Sequence, residues 1–213
     1  AKKVYVQTNH VLNELTYLYK SKKINTGNIA LLPISLPKKI NTSTKKEFEF
    51  QLFYPTLDLP HKRCNLAIKS SCLASKINKD IGLVITIPNK INFLKEERIF
   101  FSGKITKKEV HGFFQGSKAL LITSDKESLG LPLIEALTFS IPVIAPNLPY
   151  VQEILKDSAC YFSSFNTIEV KKAIIRSYEN YDYWLLKIKN RRKDYTSSPN
   201  TMKECWRNLI SEI

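Results

Sequence analysis

A chain of 213 residues is long enough to bury a full hydrophobic core, and 43% hydrophobic with 24% charged residues is ordinary for a soluble globular protein. No apolar run reaches the roughly 18 residues of a membrane-spanning helix, and Ala1-Lys2-Lys3 is followed by no signal-type apolar block, so a cytosolic protein is expected. The net charge of +14 asks for an anionic partner, and nucleic acid, an acidic membrane surface and anionic substrates would all gain from such a field.

Val4-Tyr5-Val6-Gln7-Thr8 reads as a strand, the spacing of Leu12, Leu15, Tyr17, Leu18 and Tyr19 as a helix that ends in Lys20-Ser21-Lys22-Lys23, and Ile29-Ala30-Leu31-Leu32-Pro33 as a second strand. Ser35 to Lys46 is polar and basic, holds Pro37 and reads as a linker. Phe48 to Tyr54 is an aromatic-rich strand, and His61-Lys62-Arg63-Cys64-Asn65 opens a helix with Leu66, Ala67, Ile68, Cys72, Leu73 and Ile77 on its apolar side. Gly82 to Pro88 and Arg98 to Gly103 are further strands, and Lys107 to Phe114 is a helix.

Lys118-Ala119-Leu120-Leu121-Ile122-Thr123 is a short continuous apolar run of the kind that suits a strand buried on both faces. A polar turn, a helix from about Leu131 and the run Ile141-Pro142-Val143-Ile144-Ala145 follow, which together make one unit of a parallel α/β sheet. In such sheets ligands sit beyond the carboxyl ends of the strands, where helix N-termini aim unpaired N–H groups at anions. Gly130 lets a ligand approach the backbone, and Pro132 suits the first helical turn. Glu135 is flanked by Leu133, Ile134, Ala136 and Leu137, so its carboxylate needs hydrogen-bonding partners, which vicinal sugar hydroxyls would supply. Glu127 lies within reach of the same crevice. Structural roles stand beside these: Glu127 closing a capping box with Ser124, and Glu135 paired with a core hydroxyl or a basic side chain.

Glu127 to Ala136, with Ser140-Ile141-Pro142-Val143-Ile144-Ala145, Pro149-Tyr150-Val151 and Glu153-Ile154-Leu155, resembles the donor-binding half of retaining family 4 glycosyltransferases of the two-lobed GT-B architecture. The resemblance implies a Rossmann-like parallel α/β sheet flanked by helices. It implies that residues 1–34 are a remnant of the N-terminal acceptor lobe, 35–47 the linker, 48–195 the nucleotide-sugar domain and 196–213 a helix, with Trp206 and Leu209-Ile210, crossing back to that lobe. It places Glu127 on donor-sugar hydroxyls and Glu135 on the ribose. Ser128, Leu129, Gly130, Leu131 and Lys62 would hold the diphosphate, and Gly103-Lys104-Ile105 the nucleobase. Lys62 matches the family lysine, but the usual Gly-Arg pair is replaced by Tyr54-Pro55-Thr56, which leaves Arg63 and Lys104 as candidate second cations. Gly103 is also explained as a plain turn residue, and Arg63 and Lys104 as solvated surface charges.

The implied function is transfer of a hexose from UDP- or GDP-sugar to a glycan or lipid-linked acceptor in bacterial surface polysaccharide synthesis, with little activity in a chain lacking most of the acceptor lobe. A non-catalytic nucleotide-binding or interaction module derived from such a lobe is the alternative. No cofactor or metal is expected: Asp-x-Asp is absent, Cys64, Cys72, Cys160 and Cys205 form no C-x-x-C pair and should be reduced thiols, and His10, His61 and His111 are scattered. His111 reads as a surface or satisfied residue rather than a catalytic one.

Ala159-Cys160-Tyr161-Phe162 is a last strand, and Thr167 to Ile188 a long helix. Beyond it Lys187, Lys189, Arg191, Arg192 and Lys193, beside Tyr183, Trp184 and Tyr195, make either a solvated helix end or a peripheral contact with anionic lipid. No nucleic-acid-binding motif is present, which favours the membrane as the use for the charge.

Overall fold

The computed structural model describes residues 4–27, 29–32, 35–89 and 98–196. Its centre is a six-stranded parallel sheet of β3 (Phe50–Tyr54), β4 (Ile81–Ile85), β5 (Ile99–Phe101), β6 (Ala119–Leu121), β7 (Val143–Pro146) and β8 (Ala159–Phe162). Every residue of β3, β4 and β6 is buried, as continuous apolar runs covered by helices on both faces must be. Helices α2 (Cys64–Ile77), α3 (Lys107–Gly116), α4 (Leu131–Phe139), α5 (Pro149–Leu155) and α6 (Thr167–Glu179) provide that cover. α2 packs with α6, while α3, α4 and α5 form a contiguous second layer.

The strands lie in the order β5-β4-β3-β6-β7-β8. The chain steps outward one way from β3 and then, after β5, returns to lay β6 on the other side of β3. Neighbouring strands β3 and β6 therefore leave the sheet in opposite winding directions, which opens a crevice beyond their carboxyl ends. This expected α/β architecture is the one observed, with strand ends drawn in. β4 stops at Ile85 because Thr86 turns its hydroxyl to the loop after β3, accepting from Thr56 N–H at 2.7 Å and donating to Thr56 O at 2.7 Å.

Two expected helix boundaries are corrected. The helix expected to open at His61 begins at Cys64: Pro60–Lys62 form a separate 3-10 turn, and Arg63, at φ 50° and ψ 44°, breaks the helical path between them. The single helix expected from Thr167 to Ile188 is two, α6 and α7 (Tyr181–Thr196). Asn180 ends the first by donating both its N–H and its Nδ2 to Arg176 O, and the turn brings Tyr181, Trp184 and Leu185 onto the core.

Ahead of the sheet, β1 (Val4–Val6) and β2 (Ile29–Leu31) pair in parallel across α1 (Asn9–Ser21). α1 has no buried residue, and Tyr17, Leu18 and Ile24 are exposed. It is docked through its start: the Glu153 carboxylate on α5 accepts from Asn9 N at 2.7 Å, Asn9 Nδ2 at 2.9 Å and His10 N at 3.0 Å. Residues 35–46 carry no regular structure but lie along α3. Ile40 N–H donates to His111 Nδ1 at 3.0 Å, Lys45 N–H donates to Gly112 O at 3.0 Å, and a Cβ on Gly116 would stand 1.9 Å from Lys45 O. His111 is thus buried and partnered at one nitrogen, and burial holds its pKa below the usual histidine range. Cys64, Cys72 and Cys160 are buried and none of them is in a disulfide. Cys205 and the expected terminal helix lie outside the described residues.

Candidate functional site

The crevice between β3 and β6 is walled by the loops that follow those strands, and a small polar network fastens one to the other. Tyr54, the last residue of β3, donates from Oη to Lys62 O at 2.6 Å, and Thr123 Oγ1 donates to the same carbonyl at 2.9 Å. With its proton so placed, Tyr54 Oη accepts from Ser124 Oγ at 3.1 Å, and Tyr150 Oη donates to Ser124 O at 2.9 Å. Burial raises the pKa of both phenols, and for Tyr150 the nearby Glu127 carboxylate adds to it, so they act as fixed neutral donors. Asp125 N–H donates to His61 O at 3.0 Å. The left-handed conformation of Arg63 is held by an ion pair to Asp125 Oδ2 at 2.6 Å and by stacking of the guanidinium 4.7 Å over the Phe165 ring.

This network fixes the backbone of Lys62, whose ammonium pairs with the Glu127 carboxylate across the crevice. The two side chains are only 18% and 16% exposed, so each is the main compensation for the other's charge. The capping box between Ser124 and Glu127 does not form: Ser124 is engaged with Tyr54, and the helix starts only at Leu131. Lys62 reaches the rim from the 3-10 turn rather than from α2. Arg63, a candidate second cation, is committed to Asp125 and Phe165.

Beyond Glu127 the chain passes through exposed Ser128 and buried Leu129 to Gly130, at φ 69° and ψ 56°. There a Cβ would meet Leu133 Cδ1 at 3.0 Å, so the position suits glycine on two counts. α4 then starts with no side-chain cap and no acidic residue in its first turn, and Leu131 is 60% exposed beside it. Glu135 follows one turn along. Its carboxylate makes no hydrogen bond or ion pair among the described residues, and burial pushes its pKa up to about 7 against the opposing pull of the Lys107 ammonium. Neither a core hydroxyl nor a salt bridge accounts for it.

Lys107 opens α3 immediately after the Gly103-Lys104-Ile105 turn. Gly103, at φ 64°, faces open space, and exposed Lys104 has no hydrogen bond or ion pair among the described residues. Of the sequence-derived site residues the structure joins Lys62 directly to Glu127, whereas Glu135 is linked to the start of α3 only through the charge of Lys107, and no hydrogen bond joins the two carboxylates. Sequence reasoning missed Tyr54, Thr123, Asp125 and Tyr150 as the residues that fasten the loops. The polar triplet Thr123-Ser124-Asp125 directly after a buried strand was the available signal.

A cavity of about 850 Å³ lies on the other side of Glu127, between the rim and α1. His10, Glu14 and Leu18 form one wall and Glu127, Ser128 and Tyr150 the other. Thr8 Oγ1, donating to Ser128 O at 3.1 Å, ties the walls together at one end. Among the described residues no three His, Cys, Asp or Glu side chains cluster at metal-binding distance, and no helix is long and apolar enough to cross a membrane.

Known proteins resemble this chain in sequence and in fold. The family described as "Glycosyl transferases group 1" matches residues 90–196. The serotype-specific mannosyltransferase WbdA of Escherichia coli is 33% identical over 78 residues, which is 37% of this chain and 10% of WbdA. The O-antigen chain mannosyltransferase RfbU of Salmonella typhimurium is 24% identical over 196 residues, covering 81% of this chain and 54% of RfbU. The chain therefore spans only part of the length of these relatives. The crystal structure of the pneumococcal O-GlcNAc transferase GtfA in complex with UDP and GlcNAc superposes over all of this chain and 45% of its own, with a TM-score of 0.78 at 17% identity, so the fold is that of a GT-B lobe. With the family match covering half of its length and the sheet, crevice and rim loops in place, the chain belongs to the group 1 glycosyl transferases.

Proposed function

We propose that this chain is the donor-binding part of a retaining hexosyltransferase that uses a UDP- or GDP-sugar and builds bacterial surface polysaccharide. The observation that carries the reading is the Lys62–Glu127 pair suspended across the β3/β6 crevice beside an uncapped helix start, with a half-buried Glu135, unpartnered among the described residues, one turn further on. A nucleoside diphosphate supplies what each group lacks. Its phosphates take the free N–H groups at Gly130-Leu131 and share the Lys62 ammonium, its ribose hydroxyls donate to Glu135, and its base meets the turn Gly103-Lys104-Ile105. Glu127, released from full engagement with Lys62, accepts from the sugar hydroxyls.

In the reaction the bond between the anomeric carbon and the diphosphate oxygen breaks, and the electron pair leaves with the diphosphate. Lys62 and the α4 N-terminus stabilise that developing charge. The acceptor hydroxyl forms the new bond to the anomeric carbon and gives up its proton to the departing diphosphate. Neither glutamate acts as the nucleophile; both hold the donor so that the anomeric carbon faces the cavity walled by His10 and Glu14, where a glycan or lipid-linked acceptor enters. The resemblance to the mannosyltransferases WbdA and RfbU, the latter an O-antigen chain enzyme, supports a surface-polysaccharide setting.

Titration calorimetry with UDP and GDP tests the donor site. Saturable binding is expected, weakened tenfold or more in Glu135→Ala, the loss of about one to two charge-assisted hydrogen bonds; equal affinity in both proteins removes Glu135 from the site. A second reading, a non-catalytic nucleotide-binding module, is favoured by the replacement of Gly-Arg with Tyr54-Pro55-Thr56 and by the commitment of Arg63 to Asp125. We expect the 213-residue chain to bind nucleotide and to transfer little sugar. Robust transfer by this chain alone rules out the second reading and the assignment of acceptor binding to a missing lobe.

A further inference from the structure

At the opposite, amino-terminal edge of the sheet a second cavity, of about 480 Å³, opens beneath the starts of β6 and β7. Lys39, Lys46, Lys118 and Lys189 line it and, among the described residues, no carboxylate does. Arg192 joins them through Ser140 Oγ at 3.2 Å, and its charge, after burial, lowers the pKa of Lys39. The floor is apolar, with Phe139, Ile141 and Leu185. Two intramolecular terms reduce the positive charge: Glu49 pairs with Lys46 at 2.7 Å, and the C-terminal ends of α3 and α4 also face the cavity. Each helix end is worth about half a negative charge, so with Glu49 they leave about three of the positive charges uncompensated.

The cations that the sequence marked on α7 are arranged differently. Lys187 pairs with Asp157 at 2.5 Å, and Arg191 donates to Ile154 O at 2.7 Å. Lys189 remains, and it ends an i, i+3 row on α7 with Tyr183 and Leu186, which are 52% and 60% exposed. Cations around an apolar-floored hollow, flanked by an exposed apolar row, suit a phosphate headgroup with acyl chain below it. A nucleic-acid strand would require instead an extended basic track with stacking faces.

We propose that this cavity, remote from the donor crevice, seats the headgroups of an acidic phospholipid surface. The test is co-sedimentation of the 213-residue chain with phosphatidylcholine vesicles, with and without phosphatidylglycerol, in about 0.1 M salt, where charges more than about 10 Å apart are largely screened. Partition onto the acidic vesicles alone is expected. It should fall at least about tenfold in Lys39→Gln/Lys118→Gln/Lys189→Gln, and stay within about twofold in Lys69→Gln/Lys76→Gln/Lys79→Gln, which removes the same charge from the exposed side of α2 and the turn that follows it. Leu186→Ser should also weaken partition with no change of charge. Melting curves establish that each variant is folded, and the Lys39→Gln/Lys189→Gln pair, at two exposed positions, replaces the first triple if that one is not. Equal losses in the two triples overturn the proposal in favour of diffuse net charge, and absence of partition overturns it outright. Saturable calorimetric binding of inorganic pyrophosphate, without vesicle binding, reassigns the cavity to a soluble phosphate. Tighter binding to single-stranded DNA than to vesicles, lost in the cavity triple, reassigns it to nucleic acid.

Discussion

Glu135 shows how a single half-buried carboxylate can cost a protein stability. In the unfolded chain it ionises near 4.5 and in the folded one at about 7. Between those values the folded state holds a proton that the unfolded state has lost, so stability declines as pH rises through the window, by up to about 3 kcal/mol. Glu135→Gln should therefore melt above the wild type near pH 8 and together with it near pH 4, and thermal scans at both values check this. The Lys62–Glu127 pair behaves oppositely, because removing one partner strands the other. Lys62→Met is expected to lose about 1–3 kcal/mol and Lys62→Met/Glu127→Gln to regain most of it, as buried pairs replaced together cost little. Urea titration of the single and double variants measures the difference.

At the scale of elements, the helix starts divide by what satisfies them. α3 carries its own capping box, with Thr106 and Glu109, and α6 is capped by Asn166. α4 starts at the rim without a cap. The backbone N–H groups of Asn9 and His10 at the start of α1 are served by Glu153, from a different part of the chain. Since α1 buries no residue of its own, this contact and the Thr8–Ser128 bond hold it to the rim. Glu153→Gln should raise amide exchange in α1 by tenfold or more, the equivalent of about 1.5 kcal/mol for weakened charged hydrogen bonds. Amides of β3 and β4 should keep their protection, and a uniform rise across the protein would assign Glu153 to global stability instead.

Across the whole molecule, what was legible in the chain was what is local. Buried runs such as Leu120-Leu121 and Val143-Ile144 announced their strands, because both faces of the sheet are covered. Gly130 ahead of Pro132 announced the start of α4 for equally local reasons. What escaped was set by contacts between distant residues. Tyr54 stands where a Gly-Arg pair was expected, and nothing in its neighbours says that its hydroxyl clamps the Lys62 carbonyl. Arg63 read as a free cation until folding placed Asp125 and Phe165 against it, and the basic run on α7 read as one patch until Asp157 and the Ile154 carbonyl each took a member. The two glutamates were singled out from their pattern, while the difference between them, one paired with a lysine and one with no such partner among the described residues, is visible only in three dimensions.

The contact between residues 35–46 and α3 has a mechanical consequence. Because Lys45 O occupies the space a side chain at Gly116 would need, and Ile40 and Lys45 are bonded to His111 and Gly112, this stretch is a splint rather than a tether. Any hinge between the leading strand–helix–strand and the six-stranded lobe must lie upstream of Ile40, and it can swing only after the grip of Glu153 on α1 has been released.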